Sequence, residues 1–206
     1  MIGNDVVDLA DPETRQLHPR FDRRILSESE LQRLKRSADP HRLRWTLWAA
    51  KEASYKRGRK LMPDLAFSPC LFETHIMDSA DIVVKHPRFS SKVQIDVTND
   101  YVHAVALPLD DGSTNLAEAA ADLKLAVIRS PQDAKSSTSL QIRQFAQQSL
   151  AKHLQVHQQH TRIITRQKIP YLTDADQNIL GDLSLSHHGQ FLSLAFQPCP
   201  LRTTLA

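Results

Sequence analysis

Hydrophobic and polar positions alternate along the chain in patterns that predict a mixture of helices and strands. The apolar segment around Val6 and Val7 is typical of a short buried strand. A helix is predicted over 27–37, because Ser27 is a good N-cap and Glu30 follows it at the spacing of a capping box. The chain therefore begins with a strand that is followed by a helix.

The next helix has the clearest boundaries in the sequence. Asp39 can cap its first turn, Pro40 suits its first position, and Gly58 can end it. Four residues at helical spacing predict its buried face: Leu43, Leu47, Ala50 and Ser54. Glu52 and Lys56 lie four residues apart on a neighbouring face, where their side chains can interact.

Period-two alternation and short apolar runs predict strands in both halves of the chain. In the first half these strands are 81–85, 92–97 and 101–107. In the second half they are 123–128, 162–165, 183–186 and 191–196. A helix of about four turns is predicted over 140–154, and the polar segment 130–139 before it is interpreted as a loop.

The segments 93–107 and 183–196 share one plan: a strand, a polar turn, and an apolar strand that begins with an aromatic residue. They match once a one-residue difference in the turn is allowed. This similarity predicts one α+β unit used twice. The small and polar residues of 110–122 indicate a linker between a half at 1–109 and a half at 123–206.

Composition narrows the class of protein. The 206 residues are 41% hydrophobic and 24% charged, which is ordinary for a globular domain and excludes wholesale disorder. No apolar run approaches the roughly 20 residues of a membrane span. Cys70 and Cys199 lie too far apart for a metal motif, and no secretory signal precedes the first strand. These features predict a protein of a reducing, cytoplasmic compartment.

A net charge of +3 and an isoelectric point near 9.0 favour an anionic partner. Nucleic acid is disfavoured, because the sequence has no basic stripe interleaved with aromatic residues and none of the common binding motifs. The chain has only 5 glycines and neither of the glycine-rich phosphate loops, which disfavours a nucleotide fold of that kind.

Three acidic residues are candidates for chemistry: Asp5 and Asp8 near the first strand, and Glu52 on the long helix. Mg²⁺ prefers oxygen ligands and is commonly held by one or two carboxylates plus substrate phosphates. The alternative is that all three are ordinary surface acids. For Glu52 and Lys56 the alternatives are a helix-stabilising pair, or a metal ligand or base beside a cation for phosphate.

One single histidine and one group of three histidines also have alternative interpretations. His187 follows Ser186 at a strand end, where a turn can present an imidazole and backbone N–H groups to an anion; the alternative is an exposed turn histidine. The second group lies at the i, i+4, i+7 positions of a predicted helix and comprises His153, His157 and His160. No partner at a second metal-ligand spacing accompanies it, so a solvated helix face is favoured.

Trp45 and Trp48 lie three residues apart on the long helix. Aromatic side chains at this spacing can form a platform for bases, but they pack in the core of a protein far more often. The sequence therefore predicts that both indoles contribute to helix packing.

Three segments together resemble the 4′-phosphopantetheinyl transferase superfamily. Residues 3–8, Gly-Asn-Asp-Val-Val-Asp, resemble its opening Gly-x-Asp strand. Residues 48–56, Trp-Ala-Ala-Lys-Glu-Ala-Ser-Tyr-Lys, resemble its highly specific Trp/Phe-x-x-Lys-Glu-Ala-x-x-Lys helix. Residues 183–189, Leu-Ser-Leu-Ser-His-His-Gly, resemble its Leu-Ser-His-Ser-Gly turn, and 20–31 is similar to a segment of the holo-acyl-carrier-protein synthases.

This resemblance implies an α+β pseudo-dimer of two similar halves, with the active site in the cleft between them. It implies Mg²⁺ held by Asp5 and Glu52, and coenzyme A as the donor of a phosphopantetheine arm to a serine of an acidic carrier protein. Glu52 would take the serine proton, and Lys56 would hold charge on the departing group. The residues implied to bind coenzyme A are Ser186, His187, Lys51, Lys56 and Lys168. The arrangement of two halves in one chain also implies a monomer with one active site.

The sequence departs from the family pattern at several places. Val7 stands where surfactin-type members carry a second acid, and Asp8 lies where the small synthases carry a glutamate. The halves are in the order opposite to that of surfactin-type enzymes. Val97 replaces a histidine, and Lys168 is displaced by one residue. These departures leave an alternative open: a non-catalytic relative that binds coenzyme A or a carrier protein. The transferase is favoured because the sequence keeps four residues of the family's active site: Asp5, Glu52, Lys56 and His187.

Overall fold

The structure, a computed structural model, describes residues 1–78, 80–109, 123–130 and 137–199. Within them the helices are α1 (Pro12–Arg15), α2 (Phe21–Ile25), α3 (Glu28–Arg36), α4 (Pro40–Leu61) and α5 (Thr138–His153). The strands of the first half are β1 (Gly3–Asp8), β2 (Glu73–Ile76), β3 (Asp81–His86), β4 (Phe89–Val97) and β5 (Tyr101–Pro108). Those of the second half are β6 (Lys124–Arg129), β7 (Arg162–Arg166), β8 (Ile169–Thr173), β9 (Ile179–His188) and β10 (Phe191–Pro198).

The two halves contain sheets of the same topology. The first is an antiparallel sheet in the order β1-β5-β4-β3-β2, and the second is an antiparallel sheet in the order β6-β10-β9-β8-β7. In each half the long helix follows the first strand: α4 follows β1, and α5 follows β6. The expectation of a mixed α+β fold is confirmed. The expected linker 110–122 and most of the expected loop 130–139 lie outside the described residues.

The final hairpins of the two halves have identical registers. Val97 pairs with Val102 in the first hairpin, and His187 pairs with Leu192, ninety positions later, in the second. The other pairs of the β4–β5 ladder recur with the same offset. The one-residue difference in the turn that the sequence comparison allowed is therefore not needed. Val97 and His187 occupy equivalent places at the ends of β4 and β9.

Each long helix covers its own sheet through small and aliphatic side chains. The core of the first half joins α4 to β1, β4 and β5 and includes Val7, Ala49, Ala53, Val93 and Ala104. The core of the second half joins α5 to β8, β9 and β10 and includes Ala146, Leu150, Leu172, Leu183 and Leu194. No helix among the described residues is both long enough and apolar enough to cross a membrane.

Most of the predicted helix signals are confirmed. Ser27 and Glu30 form a capping box at α3, and Asp39 accepts a hydrogen bond from a backbone N–H in the first turn of α4. Gly58 does not end α4, however, because the helix continues to Leu61. A Cβ at Gly58 would lie 2.5 Å from the ring of Phe89, so this glycine allows close packing.

The edge strand β1 joins the two halves. Ile2 and the residues of β1 carry backbone N–H groups that donate to side chains of β9: Ile2 to Asp182, Asn4 to Ser184 at 2.9 Å, and Asp8 to His188 at 3.1 Å. These contacts occupy donors at the outer edge of the first sheet, which would otherwise be open to another strand. The second half thus lies directly against the strand that carries Asp5.

Candidate active site

A glycine on β1 lets α4 lie directly on the strand that carries Asp5. A Cβ at Gly3 would lie 2.0 Å from the carbonyl oxygen of Ala53, so a larger residue would displace the helix. Asp5 lies on the same side of β1 as Gly3, because alternate residues of a strand share a face. Glu52 and Lys56, one turn apart on α4, are therefore brought next to Asp5.

Asp5, Lys56 and Ser186 form a hydrogen-bonded triangle that spans the two halves. The Lys56 ammonium donates to Asp5 Oδ1 at 2.7 Å and to Ser186 Oγ at 2.9 Å. The Ser186 hydroxyl donates to the same Asp5 oxygen at 2.7 Å. Asp5 and Ser186 are buried, whereas Lys56 is partly exposed. Since an ammonium has three donors, the third donor of Lys56 has no partner among the described residues.

Glu52 completes the site as a second carboxylate. Within the described residues its carboxylate accepts no hydrogen bond. Burial and the neighbouring charge of Asp5 raise the pKa of Glu52 to about 7, while Lys56 opposes the shift. Two carboxylates held close together, one without a hydrogen-bond donor, form an arrangement that a bound cation would stabilise.

The carboxylate pair fits a magnesium ion in its donor chemistry. No cluster of three or more metal-ligating side chains is found among the described residues. Asp5 and Glu52 are two carboxylates whose charges interact. Mg²⁺ is commonly held by one or two carboxylates, with water and substrate phosphates as the other ligands. A two-carboxylate site is therefore sufficient for an ion that also binds a phosphorylated substrate.

A groove opens beside this site, between α4 and the second sheet. Its first part is a cavity of about 240 Å³ whose lining includes Tyr55, Lys56, Arg59, Lys168 and Leu185. Its second part is a cavity of about 180 Å³ whose lining includes Ser139, Arg143, Thr165, Lys168 and His187. Lys168 contributes to both parts. Sequence reasoning identified Lys168 and His187 but missed Arg59 and Arg143.

His187 lies exposed at the end of β9, next to this groove. Partial desolvation, with the charges of Lys56 and His188 adding to it, holds the pKa of His187 below its usual range. A neutral imidazole at neutral pH can still donate one hydrogen bond to a phosphate oxygen. The structure thus places Lys56 and His187 in the lining of the groove, and the buried Ser186 beside them, hydrogen-bonded to Lys56.

Lys51 does not bind a ligand in this groove, and that expectation is corrected. Its side chain is fully buried, and its ammonium donates to Glu30 at 2.6 Å, to the Ile25 carbonyl at 2.8 Å and to the Pro69 carbonyl at 3.1 Å. All three donors are thus used inside the protein. Lys51 anchors α4 to the segments that precede and follow it.

Lys60, one turn beyond Lys56, is a further residue that sequence reasoning missed. Its ammonium contacts Asp182 at 2.6 Å, the Ile2 carbonyl at 2.7 Å and the Leu183 carbonyl at 2.8 Å. Burial lowers the pKa of Lys60, and Asp182 opposes this shift. The helical spacing from Glu52 to Lys56 to Lys60 was the available signal, since it predicts one face.

The two halves share a fold, but the residues of the candidate site are not repeated at the equivalent positions. Asp5 pairs with Ala104 in the first sheet, and the equivalent pair in the second sheet is Ala126 with Leu194. Ala126 therefore occupies the place of Asp5 in the second half. Val97 likewise occupies the place of His187 in the first half, so neither equivalent position carries the chemical group.

Val7 lies in the hydrophobic core of the first half and is 1% exposed. An acid at this position would be surrounded by aliphatic groups, so the structure gives Val7 a packing role. The two tryptophans also pack as predicted. Trp45 is buried, Trp48 packs against the same core, and their rings lie 6.5 Å apart.

The three histidines with metal-ligand spacing do not share a helix. α5 ends at His153, and His157 lies at the start of a short 3₁₀ turn that contains His160. The rings of His157 and His160 lie 5.9 Å apart on the surface. The prediction of a common helix face is wrong, because the chain turns between His153 and His157.

Comparison with known proteins identifies the family. A model of the 4′-phosphopantetheinyl transferase superfamily matches residues 1–106. The chain therefore belongs to this superfamily, whose members act on carrier proteins with coenzyme A as substrate. A search of curated proteins finds no match to the chain. The matched region contains Asp5, Glu52 and Lys56.

Proposed function

We propose that the chain transfers the 4′-phosphopantetheine arm of coenzyme A to a serine of an acyl or peptidyl carrier protein in a Mg²⁺-dependent reaction. One observation carries this proposal. Asp5 and Lys56 of the first half are hydrogen-bonded to Ser186 of the second half, with the charge of Glu52 acting on both, beside a cationic groove that His187 lines. This combination suits a phosphoryl transfer, in which charge must be neutralised at the reacting phosphorus.

The groove supplies cations for an elongated polyanionic substrate. Lys56, Arg59 and Lys168 line its first part, and Lys168 and Arg143 line its second part, where the neutral His187 adds a hydrogen-bond donor. Coenzyme A carries a pyrophosphate and a separate 3′-phosphate, so two adjoining cationic regions match its charge distribution. We assign Lys168 to this binding surface, as the resemblance implied.

Asp5 and Glu52 would hold the magnesium ion. The bound ion supplies Lewis-acid polarisation of the phosphoryl group and neutralises charge on the pyrophosphate. The pKa of Glu52 is about 7 without a metal ion, and a bound cation would favour its ionised form, which can act as a general base at neutral pH. Glu52 accepts the proton of the carrier serine as the serine oxygen bonds to phosphorus. The bond between that phosphorus and the bridging oxygen of the pyrophosphate breaks. Lys56 stabilises the charge on the departing adenosine bisphosphate.

The remaining features support an acidic protein partner and a reducing compartment. A net charge of +3 favours encounter with an acidic carrier protein. Cys70 and Cys199 are both free and exposed, which suits a cytoplasmic location. We further propose that the halves 1–109 and 123–206, joined by 110–122, form a pseudo-dimer with the order of surfactin-type halves reversed. The equal strand orders and hairpin registers support this arrangement.

The test is incubation of the purified chain with coenzyme A, Mg²⁺ and several apo-carrier proteins, followed by intact-mass measurement. The carriers should represent fatty acid, polyketide and nonribosomal peptide systems. We expect at least one carrier to gain the mass of one phosphopantetheine group, and chelation of Mg²⁺ to prevent the gain. Glu52→Gln serves as a matched control of nearly equal size. If coenzyme A binds but no carrier is modified, the non-catalytic alternative is supported instead.

A further inference from the structure

The turn that carries His187 is fastened to the opposite half by the carboxylate of Asp8. Asp8 is 3% exposed, and its Oδ2 accepts a hydrogen bond from the backbone N–H of Gln190 at 3.0 Å. Its Oδ1 accepts from the backbone N–H of Ala10 at 2.9 Å. The N–H of Asp8 itself donates to Nδ1 of His188 at 3.1 Å. Asp8 therefore contacts residues on both sides of the turn.

Gly189 shows how closely the turn lies against Asp8. Its φ is +52°, in the left-handed region that favours glycine. A Cβ at Gly189 would lie 2.4 Å from Oδ2 of Asp8 and 2.7 Å from its Cβ. The backbone conformation and the lack of space both require glycine here, so turn and carboxylate fit each other without a gap.

Neighbouring contacts hold the same junction from other directions. The backbone N–H of Ser130 donates to the carbonyl of Gln190 at 2.7 Å. The rings of Tyr101 and Phe191, from the two final hairpins, lie 5.0 Å apart. The 187–190 turn is thus held by β1, by the end of β6 and by the first hairpin. Of these contacts, Asp8 alone supplies a charged acceptor to the turn backbone among the described residues.

We propose that Asp8 is a positioning residue that holds the 187–190 turn against β1 and so sets His187 at the coenzyme A groove. The identification of coenzyme A as the ligand rests on the proposed function, whereas the contact between Asp8 and the turn does not. The competing role is that of a third metal ligand beside Asp5 and Glu52. Both oxygens of Asp8 already accept backbone N–H groups, and Asp5 and Asp8 lie on opposite faces of β1, which favours positioning.

The first test measures the turn itself and needs no substrate. In the full-length chain, Asp8→Ala should increase the hydrogen-exchange rate of the Gln190 amide by about tenfold or more. It should also shift the ring resonances of His187, while amides of α5 keep their exchange rates. Gly189→Ala disturbs the same contact from the second half and should have the same effect. Unchanged Gln190 exchange in a folded variant of either kind would overturn the proposal.

The second test separates positioning from metal binding. Calorimetry should find that Asp8→Ala weakens coenzyme A binding about as much as His187→Ala does, by about fivefold or more, and that the double variant is no weaker than His187→Ala alone. Additive losses, or a changed Mg²⁺ requirement for coenzyme A binding in Asp8→Ala only, would contradict the proposal. If the unaltered chain binds no coenzyme A, the proposed function fails while the exchange measurement still decides the role of Asp8.

Discussion

Lys56 donates a hydrogen bond to Oδ1 of Asp5 at 2.7 Å, and this contact occupies one of the two carboxylate oxygens of Asp5. The same oxygen accepts from Ser186, which lies 181 positions from Asp5 in the sequence. Oδ1 is therefore occupied by protein donors, and none of the hydrogen bonds found in the described residues involves Oδ2 of Asp5. Asp5 thus joins the halves through Oδ1, and Oδ2 is the oxygen that the proposed function assigns to a cation.

Asp5→Asn should abolish transfer while keeping the fold. The amide retains an oxygen that can accept from Lys56, but it removes the charge that a cation requires. We expect a loss of at least about a hundredfold in the rate of carrier modification, which corresponds to about 3 kcal/mol. Intact-mass time courses measure the loss, and thermal unfolding checks the fold. Asp64→Asn, at an exposed position, is the control. A nearly normal rate for Asp5→Asn would remove Asp5 from the metal site.

The raised pKa of Glu52 makes the metal-free protein less stable as the pH rises. The folded state keeps the Glu52 proton up to about pH 7, whereas the unfolded state loses it above its ordinary value of 4.5. Glu52→Gln should therefore be more stable than the unaltered chain at about pH 8, by up to about 3 kcal/mol, and nearly equal to it at about pH 4. Urea unfolding with a chelator measures both. A constant difference across this range would show that Glu52 is not perturbed.

Magnesium should offset the loss of stability that the ionisation of Glu52 causes, because a cation next to Glu52 favours the ionised form. At a fixed low concentration of Mg²⁺, the rate of transfer should rise as the pH passes through about 7. Higher Mg²⁺ should move the midpoint of this rise to lower pH. A midpoint that is independent of Mg²⁺ would indicate that Glu52 does not contact the ion.

Lys51→Met should destabilise the protein without a direct effect on coenzyme A affinity. The change leaves the buried Glu30 carboxylate without its cation, which costs about 3–5 kcal/mol for pairs of this kind. Lys51→Met combined with Glu30→Gln should recover part of the loss. Arg88→Met breaks an exposed pair with Asp64 and should leave the stability nearly unchanged, because solvent screens such pairs. Urea unfolding and calorimetry with coenzyme A decide between this role and ligand binding.

The error over Lys51 has a simple geometric cause. Lys51 and Glu52 are adjacent in the most specific motif of the chain, but neighbouring residues of a helix point about 100° apart. Glu52 therefore lies over β1, while Lys51 points into the core next to Pro69. A motif identifies the residues of a family, whereas the face that each residue occupies depends on what packs against the helix.

The contacts between the halves were also beyond prediction from local pattern. Periodicity predicted the strands that carry Asp5 and Ser186, and the motifs indicated that both matter. It could not predict that Ser186 donates to Asp5, because this depends on how two separate sheets pack. The strands that the patterns missed, β2 and β8, are short, and β8 contains Pro170, a poor strand former.

Gly3→Ala tests whether the close approach of α4 to β1 sets the geometry of the site. The added methyl group would lie 2.0 Å from the Ala53 carbonyl oxygen, so α4 must move. We expect a loss of about 1–3 kcal/mol in stability and a loss of at least about tenfold in transfer, since small displacements of catalytic groups are costly. Gly58→Ala, on the same helix but packed against Phe89, should cost stability with less effect on transfer. Equal losses of transfer in the two variants would contradict this account.

The oligomeric state follows from how the halves divide the site. The first half supplies Asp5, Glu52 and Lys56, and the second half supplies Ser186 and His187, so one chain contains every group. The equivalent places for Asp5 and His187 hold Ala126 and Val97, so a second site of this kind lacks the required acid and imidazole. We therefore expect a monomer that binds one coenzyme A.

Light scattering gives the mass in solution, and calorimetry gives the number of coenzyme A molecules bound per chain. The segment 1–109 expressed alone should be inactive and poorly folded, because β1 would lose the side chains of Asp182, Ser184 and His188 that cover its outer edge. A stable trimer that binds three coenzyme A molecules at inter-chain interfaces would contradict the pseudo-dimer even if transfer were observed. The intact chain as a monomer with one bound coenzyme A, together with an inactive 1–109 segment, would instead place the whole reaction within a single pair of halves.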